Sequence, residues 1–180
     1  VHWFNFSQFI PSFLEELAKF VNEKEIKDRI LTIVSEETGM GEPKNNHARH
    51  FKLAMFEIGL DTMSQNIPAI QLLEETFFYE IIREEDQEAF AIGVSYGLEI
   101  IAEDNIDRLL NWAAPCSATR EKLQKTSLFY IHLTNEIEHI KACEQNFDFI
   151  KANGRTAAFI RGHDLSLQFW NSFWRDVENG

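Results

Sequence analysis

His132, Glu136 and His139 stand in the segment FYIHLTNEIEHIKA at offsets of four and seven. An α-helix turns about 100° per residue, so these offsets return to within about 60° of the starting direction. The three side chains therefore share one stripe of one helix. Two imidazoles and a carboxylate on a common face are a ligand set for a first-row transition metal. Glu136 to His139 is also a Glu-x-x-His step, the spacing carried by the metal-facing helices of di-iron carboxylate bundles. The competing account is a solvated stripe of an acidic amphipathic helix that happens to hold two of the chain's six histidines.

Further donors fall on other segments. Glu36 and Glu37 close one helical segment, and His47 and His50 open the next. The Gly- and Pro-containing turn between them brings those ends together, so a carboxylate and an imidazole can converge. Each pair needs only one member turned inward; Glu37 and His50 are the expected bystanders. Glu99 follows the apolar run Ala91, Ile92, Val94 and Leu98 and precedes Ile100 and Ile101. A carboxylate buried there is costly without a compensating partner, and a metal ion is the strongest one. The alternative is that Glu99 opens a solvent face continued by Glu103. His2 and His163 have no partner at ligand spacing and read as surface or packing residues.

The elements that must position these groups are helical. Apolar residues recur at helical offsets in FSQFIPSFLEELAKFVN, where Pro11 begins or kinks the helix. They recur again in KEIKDRILTIVSEETG, with Ile26, Ile30, Ile33 and Val34 inward and Gly39 as C-cap. MGEPKNN is a turn, and NNHARHFKLAMFEIGL follows with Asn46 as N-cap. PAIQLLEETFFYEIIRE starts at Pro68, and DQEAFAIGVSYGLEIIAEDNIDRLLNWA reads as one long helix. A connector at Pro115 leads into the helix of His132, and a last helix runs from Gly154 through Val177. No hairpin, alternating strand pattern, repeat or low-complexity tract is present. The spacing predicts a single all-α domain over 1–180, a bundle of about seven helices.

Taken in order, the donors resemble the pattern of the haem-oxygenase-like di-iron oxidases. That pattern is a Glu-Glu-x-Gly segment closing one helix, a His opening the next, a lone helical Glu some fifty residues on, and a His-x-x-x-Asp/Glu-x-x-His helix. Here these read as EETG with Glu36, then His47, Glu99, and His132/Glu136/His139. The resemblance implies a haem-oxygenase-like helical bundle whose first helix precedes Val1. It also implies two Fe(II) per chain held by these six residues, with Glu99 as the bridge, and O₂ as co-substrate. Activities implied are desaturation, N-oxygenation or oxidative C–C cleavage of an amino acid, with a fatty acid as the second substrate class. The middle carboxylate is commonly Asp in the family; Glu136 departs from that and puts the hold on the second iron in question. The pocket is expected to be lined by Tyr96, Phe129 and Phe51.

Two other classes compete. A ferritin-like di-metal bundle needs two Glu-x-x-His steps on separate helices, and this chain has one. A metal-free thiaminase-like hydrolase needs a nucleophilic Cys, and neither Cys116 nor Cys143 has a distinctive context. Composition bounds the partners. A net charge of −12 argues against nucleic acid and anionic membrane, which reward basic surfaces. Two cysteines make no disulfide framework, which points to a reducing, cytoplasmic setting. A small-molecule substrate and a possible homodimer complete the expectation. Sixteen Phe and four Trp give the core an aromatic character.

Overall fold

Phe6, Ile10, Phe13, Leu14 and Leu17 recur three to four residues apart and are buried along one side of the first helix. The same period organises the rest of the chain. The computed structural model describes the backbone of residues 1–60, 66–114 and 117–179, and their side chains except at 117–119, 127–128 and 130–137. These residues form α1 (His2–Ala18), α2 (Lys24–Glu37), a 3-10 turn (Pro43–Asn45), α3 (His47–Glu57) and α4 (Pro68–Ile81). They continue as α5 (Gln87–Glu99), α6 (Ala102–Ala113), α7 (Ser117–Gln124), α8 (Ser127–Ala152) and α9 (Thr156–Asn179). Among the described residues there is no strand, and no helix is long and apolar enough to cross a membrane. The fold is an all-α, haem-oxygenase-like bundle.

Three boundaries differ from the sequence expectation. Pro11 neither starts nor ends α1 but lies inside it. Its missing N–H removes only one helical bond, and the burial of Trp3, Phe4 and Phe6 holds the turns before it in place. The segment from Gln87 to Ala113 is two helices, α5 and α6, separated at Ile100 and Ile101. β-branched residues are weak helix formers, and Glu103 and Asp104 in the first turn of α6 favour a new N-terminus at that point. The short α7 adds another element, which together with that break turns about seven helices into nine among the described residues. The connector at Pro115 lies outside the described residues.

The most intimate packing joins α5 to α9. A Cβ on Gly93 would fall 2.0 Å from the Phe159 carbonyl oxygen, and one on Gly162 would fall 2.1 Å from the Phe90 carbonyl oxygen. Glycine on both helices lets their backbones touch. Ser166 sits beside Gly97 and donates its hydroxyl to the Val94 carbonyl at 2.8 Å, fully buried. At the far end, Asp86 caps α5 by accepting from the Ala89 amide at 3.1 Å and pairs with Arg155 just before α9. Both ends of α5 are thereby fixed, and Glu99 is its last residue.

Candidate functional site

Two carboxylates and an imidazole are brought together by one turn. Helix α2 ends in a Schellman motif: the Met40 amide donates to the Ser35 carbonyl at 2.7 Å and the Gly39 amide to the Glu36 carbonyl at 3.0 Å. Gly39 has φ +90°, and a Cβ there would lie 2.6 Å from the Glu42 carbonyl oxygen. Only glycine fits. Asn46 then caps α3 by accepting from the Arg49 amide at 3.0 Å, while its own amide group reaches the Glu37 carbonyl at 3.4 Å. The result places His47, the first residue of α3, against Glu37, with Nδ1 2.9 Å from Oε1.

Helix α8 brings His139 to the same region. Its Nε2 lies 2.7 Å from Glu36 Oε2, and its Nδ1 lies 3.5 Å from Glu99 Oε2. None of Glu36, Glu37, His47, Glu99 and His139 exposes more than 28% of its side chain. Of the six residues expected at the centre, Glu36, Glu99 and His139 are in direct contact, and His47 lies close enough to feel the charges of Glu36 and His139. His132 and Glu136 are on α8, but their side chains lie outside the described residues.

The electrostatics of this cluster are one-sided. Three carboxylates meet two imidazoles, and among the described residues their recorded ion pairs go to imidazole, none to Lys or Arg. All three carboxylates also stand in the last turn of a helix, where the helix dipole adds further negative potential. His47 responds to this. Burial alone would push its pKa down, but the hydrogen bond and charge of Glu37 outweigh burial and leave it raised. Among the described residues no three His, Cys, Asp or Glu side chains meet around a common point. The two nitrogens of His139 face different carboxylates, Nε2 that of Glu36 and Nδ1 that of Glu99. The donor types and the excess negative charge fit divalent metal ions placed among these groups.

Of the two histidines that open α3, His47 is the one that lies against the carboxylates. His50 is turned to a separate surface cavity with Leu53, Glu57 and Lys122, and burial together with His47 and Arg49 lowers its pKa. Glu37 was expected to be a bystander; instead it holds His47. The turn decides this, because the Asn46 bond to its carbonyl sets the Glu37 backbone beside α3.

A cavity of about 40 Å³ adjoins the cluster, lined on one side by Glu37, Glu99 and His139 and on the other by Trp3, Phe6, Ile10 and Trp170. Of the residues expected to line a pocket, Tyr96 packs instead against Phe147, Phe159 and His163, and Phe129 is fully buried core. Phe51 lines a second chamber of about 280 Å³ with Leu109, Trp112, Phe173 and Val177. Trp3 belongs to both walls. The cavity-lining Trp3 and Trp170 were not legible as such, since aromatics on the apolar stripes of α1 and α9 carry the signature of ordinary core.

The fold has a solved counterpart. It is similar to the crystal structure of a CADD-like protein of unknown function from Nostoc punctiforme PCC 73102, with a TM-score of 0.78 over 98% of this chain and 77% of that one, at 16% identity. That likeness establishes the shared helical fold. No protein-family model and no curated protein matches the chain.

Proposed function

We propose that this protein is a non-haem di-iron oxidase or oxygenase. Two Fe(II) would be held by Glu36, His47, Glu99, His132, Glu136 and His139, with O₂ as co-substrate. The observation that carries the reading is the excess of shielded carboxylate: Glu36, Glu37 and Glu99 converge from helix C-termini on two imidazoles. Added positive charge would stabilise such an arrangement. The shared fold with a CADD-like protein is consistent with it.

When bound, the irons supply reductive activation of O₂ for oxidation or oxidative cleavage of an organic substrate. The chain's own residues do the rest. Glu37 Oε1 stands 2.9 Å from His47 Nδ1, a contact that would help hold the ring and leave Nε2 for the metal. Phe6, Ile10, Leu98 and Ile106 exclude bulk water from the adjoining cavity. The substrate class is a small amphiphile, an amino acid first, whose polar end approaches the cluster. One observation favours the second reading, a fatty acid: the chamber behind Trp3 is lined by apolar side chains and His2, and suits an aliphatic body.

The test is metal analysis of protein purified anaerobically and reconstituted with Fe(II). About two irons per chain, with O₂ uptake that responds to substrate, is the expected result. No iron after reconstitution would overturn the reading and leave a metal-free hydrolase or scaffold.

A further inference from the structure

Helix α4 carries two apolar stripes. Ala69, Leu73, Phe77 and Ile81 are buried against the core. Leu72, Phe78, Tyr79 and the C-cap residue Ile82 are instead 56%, 37%, 56% and 67% exposed. At about 100° per residue, Leu72, Glu75, Tyr79 and Ile82 fall within about 80° of one another, on the side away from the core. Steps of three, four and three residues make a seam suited to a second helix. The four apolar side chains leave on the order of 500 Å² open, near the upper end of what a monomer ordinarily shows.

The charges on this face select its occupant. Glu75, one turn before Tyr79, accepts from Gln71 Nε2 at 2.9 Å. Arg83, one turn after Tyr79, donates to the Tyr79 carbonyl and lays its guanidinium 3.4 Å over the Tyr79 ring. The cation is thereby held at the level of Tyr79. The face is its own complement when a second α4 runs antiparallel to it about a two-fold axis near Phe77. Leu72 then meets the partner's Ile82 at each end of the contact. Between these layers, Glu75 meets the partner's Tyr79 and the guanidinium stacked on it. A parallel pairing would instead set Glu75 against the partner's Glu75.

We propose that the outer face of α4 is the contact surface of a symmetric homodimer, with Leu72, Tyr79 and Ile82 as its apolar seam and Glu75 paired to the partner's Arg83. Two copies bury about 1,000 Å² of apolar surface, and the polar rim of Gln71, Glu75 and Arg83 brings the total into the range of about 1,200–2,000 Å² typical of stable interfaces. The net charge of −12 on each chain opposes association at a distance, but physiological salt screens it beyond about 8 Å. None of the carboxylates and imidazoles of the cluster lies on α4, so the dimer stands apart from the metal-centre reading.

The test is sedimentation equilibrium of the full chain at physiological salt. Wild type should approach twice the 21.0 kDa chain mass at a concentration of about 100 µM. Glu75→Arg and Arg83→Glu should each weaken association about tenfold, because each turns two attractive pairs per dimer into repulsive ones. An equimolar mixture of these two variants should recover wild-type association, since the mixed dimer restores both pairs. Leu72→Asp should be monomeric at the same concentration. Phe56→Ser, which removes a 78%-exposed ring from α3, should leave the dimer intact. All four positions are exposed, so circular dichroism should show wild-type folding throughout. A wild type that stays monomeric at about 100 µM would overturn the proposal and leave the face to a different partner. A dimer that survives Leu72→Asp, or a mixture no tighter than the separate charge variants, would overturn it too.

Discussion

Replacing Gly93 by Ala should be the most damaging single-methyl change in this protein. The backbone at Gly93 is helical, so alanine there would gain about 1 kcal/mol of helix propensity if the site were open. It is not open. The new Cβ would sit 2.0 Å from the Phe159 carbonyl oxygen, where ordinary contact begins near 3.4 Å. The opposing atom is backbone inside α9, which has no rotamer to yield. The two helices must separate by more than an ångström. Separation loosens the neighbouring contact at Gly162 and weakens the buried Ser166 bond to Val94. Overpacking costs about 1–3 kcal/mol and loss of a buried hydrogen bond about 1 more, so the net after the propensity gain is about 1–3 kcal/mol. In a chain of this size that lowers Tm by about 2–12 °C. Thermal unfolding followed by circular dichroism, supported by urea titration, reads it directly. Gly154→Ala is the control: φ is +69° but no atom lies within 4 Å, so only backbone strain of about 1–2 kcal/mol applies. A Gly93→Ala protein melting within about 2 °C of wild type would refute the close-crossing argument.

Other perturbations test the site itself. Asn46→Ala removes the α3 cap and the tie to the Glu37 carbonyl; it should cost about 1 kcal/mol in urea unfolding and weaken Fe(II) binding measured by titration. His139→Ala should abolish iron retention and O₂ uptake with helical content preserved by far-UV circular dichroism, whereas His50→Ala should retain both. The His47 pKa is raised in the folded state, because Glu37 outweighs burial. Its stabilising contribution is therefore complete below the unfolded value of about 6.5 and is lost as pH rises through the folded value. In EDTA the urea midpoint of wild type should fall over that window, and Glu37→Gln should flatten the fall. Iron affinity should run the other way, since coordination needs neutral imidazole.

Helical periodicity was enough to place nearly every element, because burying one stripe is a local demand that each segment declares on its own. The break between α5 and α6 was not declared. Apolar residues run through Ile100 and Ile101 without a Gly or Pro, and only the acidic first turn of α6 hints at it. Glu36, Glu99 and His139 were recognisable because carboxylates and imidazoles at ligand spacing are unusual. The contact of Glu37 with His47 was not legible, since adjacent glutamates differ only in which way a turn points them, and that turn is set by Gly39, Met40 and Asn46 together. The cavity wall was invisible for another reason. Trp3 and Trp170 are separated by most of the chain and are indistinguishable from core until α1 and α9 lie side by side.

The separation of the donors along the chain also orders their arrival in time. Glu36, Glu37 and His47 lie within a dozen residues, and a loop of about ten residues closes in roughly 10–100 ns. His139 meets Glu36 across 103 positions, and Glu99 meets His139 from a separate helix. Such distant contacts carry the larger closure entropy and form late. Half of the cluster is therefore ready at the start of folding, as a short α2–turn–α3 clasp, and the other half comes down over it. A cation captured by the nascent chain would be enclosed from one side first.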